Sequence, residues 1–136
     1  KALQNTLILG LKNNGLWTRL DCLYLFAALD SVSALINWKS PGTFTATLTN
    51  APTFTADRGF TTNGTNDYVD TTFNPSTATT PNFVQDNASW SLWSLTTGQT
   101  TNSGNGIFDG TNGTALSLRS GTDTCTARIK SGTKPN

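Results

Sequence analysis

Histidine, glutamate and methionine are all missing from this chain of 136 residues. Without histidine, the side chain that most often acts as a general base near neutral pH is absent, and serine or cysteine nucleophiles lack their usual activator. Without glutamate, the eight acidic residues are all aspartates, and they are dispersed along the sequence. These absences predict that the chain is not an enzyme. The lack of methionine predicts a processed product or a part of a longer protein.

Charge and long apolar runs are also scarce. Charged residues make up 12% of the chain, the net charge is +1, and the nine basic residues are scattered. Proteins that bind nucleic acid usually cluster Lys and Arg to neutralise phosphates. The longest apolar run, residues 22–29, is too short to span a bilayer. We therefore predict neither nucleic-acid binding nor membrane insertion.

Only two cysteines are present, Cys22 and Cys125. They can form one disulfide that closes a long loop, or they can be two buried thiols, since free cysteine behaves as a small hydrophobe. The second reading is favoured. Neither cysteine has the neighbours of a metal site or of an activated nucleophile, so we predict no metal and no cofactor.

What the chain has in abundance is threonine, with asparagine and glycine. Threonine supplies about a fifth of the residues and favours strands and turns, which predicts a mostly β protein. One segment differs, because Leu3, Leu7, Ile8 and Leu11 fall at helical spacing. We predict an amphipathic helix over residues 2–13 that ends at Asn-Asn-Gly. Its apolar stripe must pack on the following domain or on a neighbouring subunit.

The next segments predict strands and turns. "DCLYLFAA", residues 21–28, is typical of a buried strand. Asp30 is expected to cap a short helix with Val32, Leu35 and Ile36 inward. Two further elements follow, a turn at Ser-Pro-Gly (40–42) and an alternating strand over residues 43–49.

"GFTTNGTNDYVD" contains Asn63-Gly64, a strong signal for a type I′ hairpin turn. It predicts paired strands over about 58–62 and 67–73. In an extended strand, Asp67 and Asp70 would lie on opposite faces, so they could not serve together as a catalytic acid pair.

The rest of the chain continues this pattern. "SWSLWSLT" predicts a strand with Trp90 and Trp93 on opposite faces, and "GIFDGTNGTALSLRSG" predicts a second Asn-Gly hairpin. "TCTARIKSG" alternates and predicts a last strand, with Cys125, Ala127 and Ile129 inward. Seven or eight short strands joined by Gly, Asn and Thr turns are typical of an antiparallel β-sandwich or jelly roll. We predict a helix and connector over 1–20 and the sandwich over 21–136.

Three ordered blocks resemble a segment of bacteriophage and prophage virion proteins that carry a concanavalin A-like, LamG-type jelly roll. They are "LWTRLDCLYLFAA", "ALINWKSPGTFTAT" and "PTFTADRGFTTNGTNDYVDTTFNPSTA", and the resemblance extends over about residues 14–120. It implies a tail-fibre, spike or other surface component. Such domains often need roughly 200 residues, so the sandwich is expected to be incomplete, with its last strands missing or supplied by another chain.

The same family includes glucanases, whose catalytic glutamates this chain lacks. Retaining glycosidases need two neighbouring carboxyl groups, so that activity is not carried over. For carbohydrate binding, the sequence offers Trp93 as a stacking platform. Polar side chains in or near the following loops could hydrogen-bond sugar hydroxyls: Asn102, Asn105, Asp109 and Asn112. The alternative is ordinary turn chemistry, which Asn and Asp also provide.

Taken together, these features predict a non-enzymatic virion surface module, a structural or adhesion component of tail, fibre or capsid, assembled in the bacterial cytoplasm. Its expected partners are other virion proteins and further copies of itself. The alternative is a lectin-like receptor domain for host surface polysaccharide. A glycan-degrading enzyme is the third hypothesis, and the missing glutamates argue against it.

Overall fold

Short strands dominate the computed structural model, with one longer helix at the N-terminus. The structure describes residues 2–84 and 87–95, and the backbone of 105–108, 113–120 and 124–129. Within these ranges lie seven strands, two α-helices and one 3₁₀ turn. The prediction of a mostly β chain with an N-terminal helix is confirmed. A full jelly-roll sandwich is not seen in the described ranges, and the predicted division at residue 20 stays a prediction.

Helix α1, Ala2–Asn13, matches the predicted helix. Its end follows from local chemistry. Gly15 adopts a φ of 69°, its N–H donates to the Lys12 carbonyl (3.1 Å), and the Leu16 N–H donates to the Leu11 carbonyl (2.9 Å). This pair of bonds is a Schellman motif, in which glycine takes the left-handed position that stops the helix. A 3₁₀ turn, Trp17–Arg19, follows.

The predicted buried strand over 21–28 is wrong, because this segment joins no sheet and most of it is only half-buried. Its backbone finds partners elsewhere. The Leu23 N–H donates to Oδ1 of Asn37 (3.1 Å), and the Leu23 carbonyl accepts from the Trp38 N–H (2.7 Å). The Asn37 side chain provides a hydrogen bond that a neighbouring strand would otherwise provide. The backbone of the apolar run is therefore satisfied without pairing in a β-sheet.

Helix α2, Ser31–Ala34, begins where the sequence predicts. Asp30 is its N-cap, accepting from the Ser33 N–H at 2.8 Å. The predicted inward face is partly wrong: Val32 is 73% exposed, and the buried residue is Ala34. Leu35 and Ile36 are half-buried. A helix of one turn buries a single narrow face, and here that face is centred on the smallest side chain.

The turn at residues 40–43 is also as predicted. The Thr43 N–H donates to the Ser40 carbonyl at 3.0 Å, with Pro41 and Gly42 (φ 86°) at the two central positions. This is a type II turn, which requires positive φ at its third residue. The strand after it, β1, is shorter than predicted and covers only Thr47–Thr49. Phe44 at φ 53° prevents an extended conformation before that point.

The predicted hairpin across Asn63-Gly64 is wrong. Its arms exist as β3 (Gly59–Thr61) and β4 (Tyr68–Asp70), but they belong to different two-stranded sheets. β3 pairs with β2 (Thr53–Thr55), and β4 pairs with β1, both antiparallel.

Side-chain hydrogen bonds explain why Asn63 does not start a hairpin. Oδ1 of Asn63 accepts from the N–H groups of Thr65 (2.7 Å) and Asn66 (3.1 Å). This side chain organises the local loop into an Asx turn, as Asn often does. The hairpin that does form turns at 56–58, where Asp57 has a φ of 58°.

The packing of this part of the chain relies on aromatic rings more than on aliphatic side chains. Tyr24 stacks on Phe26, which meets Phe60 edge-on, and Phe60 packs against Phe54 at 5.1 Å between centroids. A second chain of edge-to-face contacts joins Phe44, Phe73 and Phe83. The buried hydrophobic residues of the core among those described are small: Ala28, Ala34 and Ala46.

The chain divides into two compact units, and the features above, apart from the Asx turn at Asn63, belong to the first, 1–62 with 67–89. The second unit, 63–66 with 90–136, contains β5 (Asn105–Phe108), β6 (Gly113–Ser120) and β7 (Thr124–Ile129). They form an antiparallel sheet in the order β5-β6-β7, and Phe108 lies opposite Gly113.

The pairing of the two arms of the second hairpin and the presence of the last strand are therefore confirmed as backbone elements, whereas the turn at 109–112 lies outside the described residues. The side chains predicted to point inward from β7 lie outside the described residues. The strand predicted over "SWSLWSLT" is wrong for its described part, because residues 88–95 form no strand.

Candidate functional site

Of the residues proposed to bind glycan, Trp93 has a described side chain, and it is 88% exposed. A tryptophan indole left this far in water offers both ring faces to a ligand. Trp90, three residues earlier, is half-buried. Asn105 is the first residue of β5, opposite Leu116. Its side chain lies outside the described residues, as do Asn102, Asp109 and Asn112, and these four assignments stay predictions.

Helix α1 exposes several large apolar side chains in the first unit. None of the helix residues is buried. Leu3 is 85% exposed, Leu7 42% and Leu9 48%. The predicted stripe is split, because Ile8 and Leu11 are half-buried while Leu3 and Leu7 face water. We call Leu3, Leu7 and Leu9 the α1 leucines.

Three of the described aspartates accept hydrogen bonds from backbone N–H groups. Asp30 caps α2, and hydrogen bonds from the Ser33 N–H and hydroxyl hold the pKa of its carboxyl below the ordinary value. Asp70 accepts from the Thr72 N–H at 2.7 Å. Asp21 accepts from the N–H groups of Asn82 and Phe83, both at 2.8 Å. Nowhere in the described ranges do three His, Cys, Asp or Glu side chains gather as metal ligands would.

Cys22 carries a free, half-buried thiol. Burial raises the pKa of this thiol, a hydrogen bond with Tyr24 lowers it, and the negative charge of Asp21 raises it. Burial likewise raises the pKa of the Tyr24 hydroxyl, as does its hydrogen bond with Cys22. That hydroxyl lies 2.6 Å from the Phe44 carbonyl and 3.0 Å from the Thr71 carbonyl. Both groups are therefore protonated at neutral pH, and neither is poised as a nucleophile.

Sequence patterns gave no sign of a pocket of about 250 Å³ in the first unit. Its wall comes from positions within 18–21 and 39–44, from Phe73, and from 78–82. Asp21 holds two parts of this wall together through its bonds to Asn82 and Phe83, and the Asn82 side-chain amide donates to the Thr18 carbonyl at 3.3 Å. No local motif could indicate this pocket, because its parts are some 60 positions apart.

In the sequence, Trp17 follows helix α1 and directly precedes Thr18, the first residue that lines the pocket. Two lysines approach the Trp17 ring. Nζ of Lys12 and Nζ of Lys39 are each 5.3 Å from the ring centroid, within cation–π range. Lys39 also donates to the Trp17 carbonyl at 2.8 Å. Lys39 lines the pocket, whereas Lys12 does not.

No family model, no curated protein and no solved structure matches this chain. Among the described residues, no helix has the length and apolar character needed to cross a membrane.

Proposed function

We propose that this chain is a non-enzymatic surface module of a bacteriophage virion, a structural or adhesion component of tail, fibre or capsid. The observation that carries the proposal is the exposure of the α1 leucines on a well-terminated helix. Apolar side chains on such a helix gain stability when a second surface covers them. The ordered blocks that resemble virion jelly rolls supply the context.

The same proposal extends to the fold. The chain contributes part of a concanavalin A-like jelly roll, and strands from another chain complete it. Supporting this, both strands of each two-stranded sheet in the first unit are short edge strands, and edge strands can pair with strands of another chain. Further copies of the chain and other virion proteins are the proposed partners, with assembly in the bacterial cytoplasm.

Self-association through α1 is the part of this proposal that is most directly tested. The wild-type chain is compared by sedimentation equilibrium with Leu3→Lys/Leu7→Lys. Asn5→Lys is the matched control, because Asn5 is an exposed residue of the same helix. We expect the wild type and the control to associate and the double variant to remain monomeric. Equal association of all three would show that the α1 leucines are not the contact.

Location in the particle is tested separately. Antibody raised against the chain should label the surface of purified virions in electron micrographs, and peptides of the chain should be recovered from those virions. Particles that contain none of the chain would contradict the proposal.

A second function is favoured by one observation, the exposure of Trp93. On this alternative the chain is a lectin-like receptor domain that stacks host polysaccharide on the indole. Capsular polysaccharide or lipopolysaccharide from the host is titrated against wild type, Trp93→Ala and Leu95→Ala. Leu95 is the control because it is 48% exposed in the same segment. Loss of binding in Trp93→Ala alone would support the lectin reading, whereas no binding by the wild type would exclude it.

A further inference from the structure

We propose that the pocket between residues 18–21, 39–44 and 78–82 binds a single sugar residue that carries a carboxylate. The residues that line this pocket include neither the α1 leucines nor Trp93. The proposed binding does not depend on how the chain assembles.

The size of the pocket restricts its ligand. Pockets for drug-sized molecules occupy about 300–1,000 Å³, and this one has about 250 Å³. It is also a depression open to solvent rather than a sealed cavity. A single pyranose ring that belongs to a longer, solvent-exposed glycan suits both properties.

The lining matches the amphipathic character of a sugar. One part of the wall is apolar, with Phe44 and Phe73 in edge-to-face contact at 5.2 Å. Residues with hydroxyl side chains also line the wall: Thr18, Ser40, Thr43, Thr79 and Thr80. Sugar rings present C–H groups on one face and hydroxyls around the edge, and a mixed wall of this kind can satisfy both.

Lys39 is the basic residue of the wall, and it favours an acidic sugar over a neutral one. Asp21 is already used by three N–H donors, the backbone N–H groups of Asn82 and Phe83 and the Asn82 side-chain amide. Lys39 gives one hydrogen bond, to the Trp17 carbonyl. An ammonium group has three donors, so Lys39 retains hydrogen-bonding capacity for an anion. A carboxylate on the ligand would be its complement.

Two of the six described non-glycine residues with positive φ line the pocket. Phe44 has a φ of 53° and Thr80 a φ of 49°, and both line the wall. Positive φ is unfavourable for all residues with a Cβ and most of all for a β-branched one. Residues held in such conformations concentrate at ligand-binding positions.

The test is titration of the full chain with sodium glucuronate, followed by amide chemical shifts in NMR. A ligand with about thirteen non-hydrogen atoms is expected to bind with a Kd on the order of 1 mM. We expect the largest shifts at Thr79, Thr80 and Asn82. Glucose should bind at least about tenfold more weakly, since it lacks the charge-assisted bond, and acetate should produce no comparable shifts because it lacks the ring.

Lys39→Gln is the decisive variant, and Lys12→Gln is its matched control. Both lysines lie 5.3 Å from the centre of the Trp17 ring, so both substitutions remove one charge and one cation–π contact. Only Lys39 lines the pocket. We expect Lys39→Gln to weaken glucuronate binding about tenfold and Lys12→Gln to leave it unchanged.

A second variant tests the pocket independently, so that the proposal remains testable if Lys39→Gln fails to fold. Thr79→Val keeps the side-chain shape and removes one pocket hydroxyl from an exposed position, and it should weaken glucuronate binding a few-fold. Equal response to acetate would overturn the sugar assignment, and equal response to glucose would overturn the role of Lys39. Absence of any shift at tens of millimolar glucuronate would overturn the proposal as a whole.

Discussion

Asn37 accepts a hydrogen bond from the Leu23 backbone N–H at 3.1 Å, and its side chain is fully buried. The same Oδ1 accepts from the Lys39 N–H (3.1 Å), while Nδ2 donates to the Thr43 carbonyl (3.1 Å) and contacts Sγ of Cys22 (3.8 Å). One amide side chain therefore joins the segment over 21–28 to the turn that begins at Ser40. A fully satisfied buried amide of this kind both stabilises and specifies the local fold.

Asn37→Asp should destabilise the folded chain by about 3 kcal/mol at neutral pH, because it places a carboxylate oxygen against the Thr43 carbonyl in a buried site. Burial should raise the pKa of the introduced carboxyl, so the deficit should shrink as the pH falls and the group becomes protonated. Chemical denaturation at several pH values measures this. Asn5→Asp, at an exposed position of α1, is the control and should change stability by less than about 0.5 kcal/mol. Equal effects of the two substitutions would contradict the role given to Asn37.

Two glycine-to-alanine substitutions should have opposite effects on the stability of the folded chain. Gly59 has a φ of 98°, and a Cβ there would lie 3.3 Å from Cβ of Phe26. Gly59→Ala should therefore cost about 1–3 kcal/mol. Gly10 lies inside α1, where a Cβ would meet nothing within 4 Å, so Gly10→Ala should stabilise by about 0.5–1 kcal/mol. Thermal unfolding of both variants checks the pair, and a stabilising Gly59→Ala would show that the close approach of Phe26 is absent in solution.

The cap at Asp30 should make part of the stability depend on pH. Hydrogen bonds from Ser33 lower the pKa of this carboxyl in the folded chain. A depressed pKa contributes stability above the unfolded-state value, and the contribution is lost as the pH falls through the folded-state pKa. The stability advantage of the wild type over Asp30→Asn should therefore be present at neutral pH and decline in acid. Denaturation curves across the acidic range test this, and a difference that stays constant with pH would disprove it.

Both cysteines are expected to be thiols. The proposed assembly in a bacterial cytoplasm keeps cysteine reduced, and Cys22 is free in the structure. Thiol titration after denaturation should find two per chain, and finding none would mean that a disulfide had formed. In the folded chain, Cys22 should be alkylated slowly at neutral pH and faster as the pH rises, because burial raises its pKa. Peptide mapping after brief alkylation distinguishes Cys22 from Cys125.

The chain should not cleave glycans. Glycoside hydrolysis needs two carboxyl groups about 5 to 9 Å apart, one of them protonated. Glutamate is absent, and the Asp30 carboxyl has a lowered rather than a raised pKa. Host capsule or lipopolysaccharide incubated with the chain should yield no new reducing ends. Reducing ends that disappear in Asp67→Asn or Asp70→Asn would identify a catalytic carboxylate and refute this prediction.

Several features of the fold depend only on neighbouring residues, and these could be predicted. Helix α1 ends where Gly15 adopts positive φ, α2 begins at Asp30, and the turn at 40–43 follows from Pro41-Gly42. The hairpin between β5 and β6 also forms beside its Asn-Gly pair. At the two helix ends and in the turn at 40–43, the deciding interactions span only a few residues, so the local sequence is sufficient to specify them.

Strand pairing and the pocket were decided by the tertiary structure. Asn63-Gly64 is an equally strong turn signal, yet β4 pairs with β1 and β3 with β2, because partners distant in sequence compete with the local hairpin. From the sequence alone, the apolar run at 21–28 could not be distinguished from a strand. In the structure, the Asn37 side chain accepts the hydrogen bond that a neighbouring strand would otherwise have accepted. Likewise, Asp21 and Asn82 are 61 residues apart. Local residue preferences determined the helix ends and the turn at 40–43, and the sequence alone predicted these. Contacts across such separations form only when the chain packs, so the tertiary structure decided which segments became strands and which strands paired.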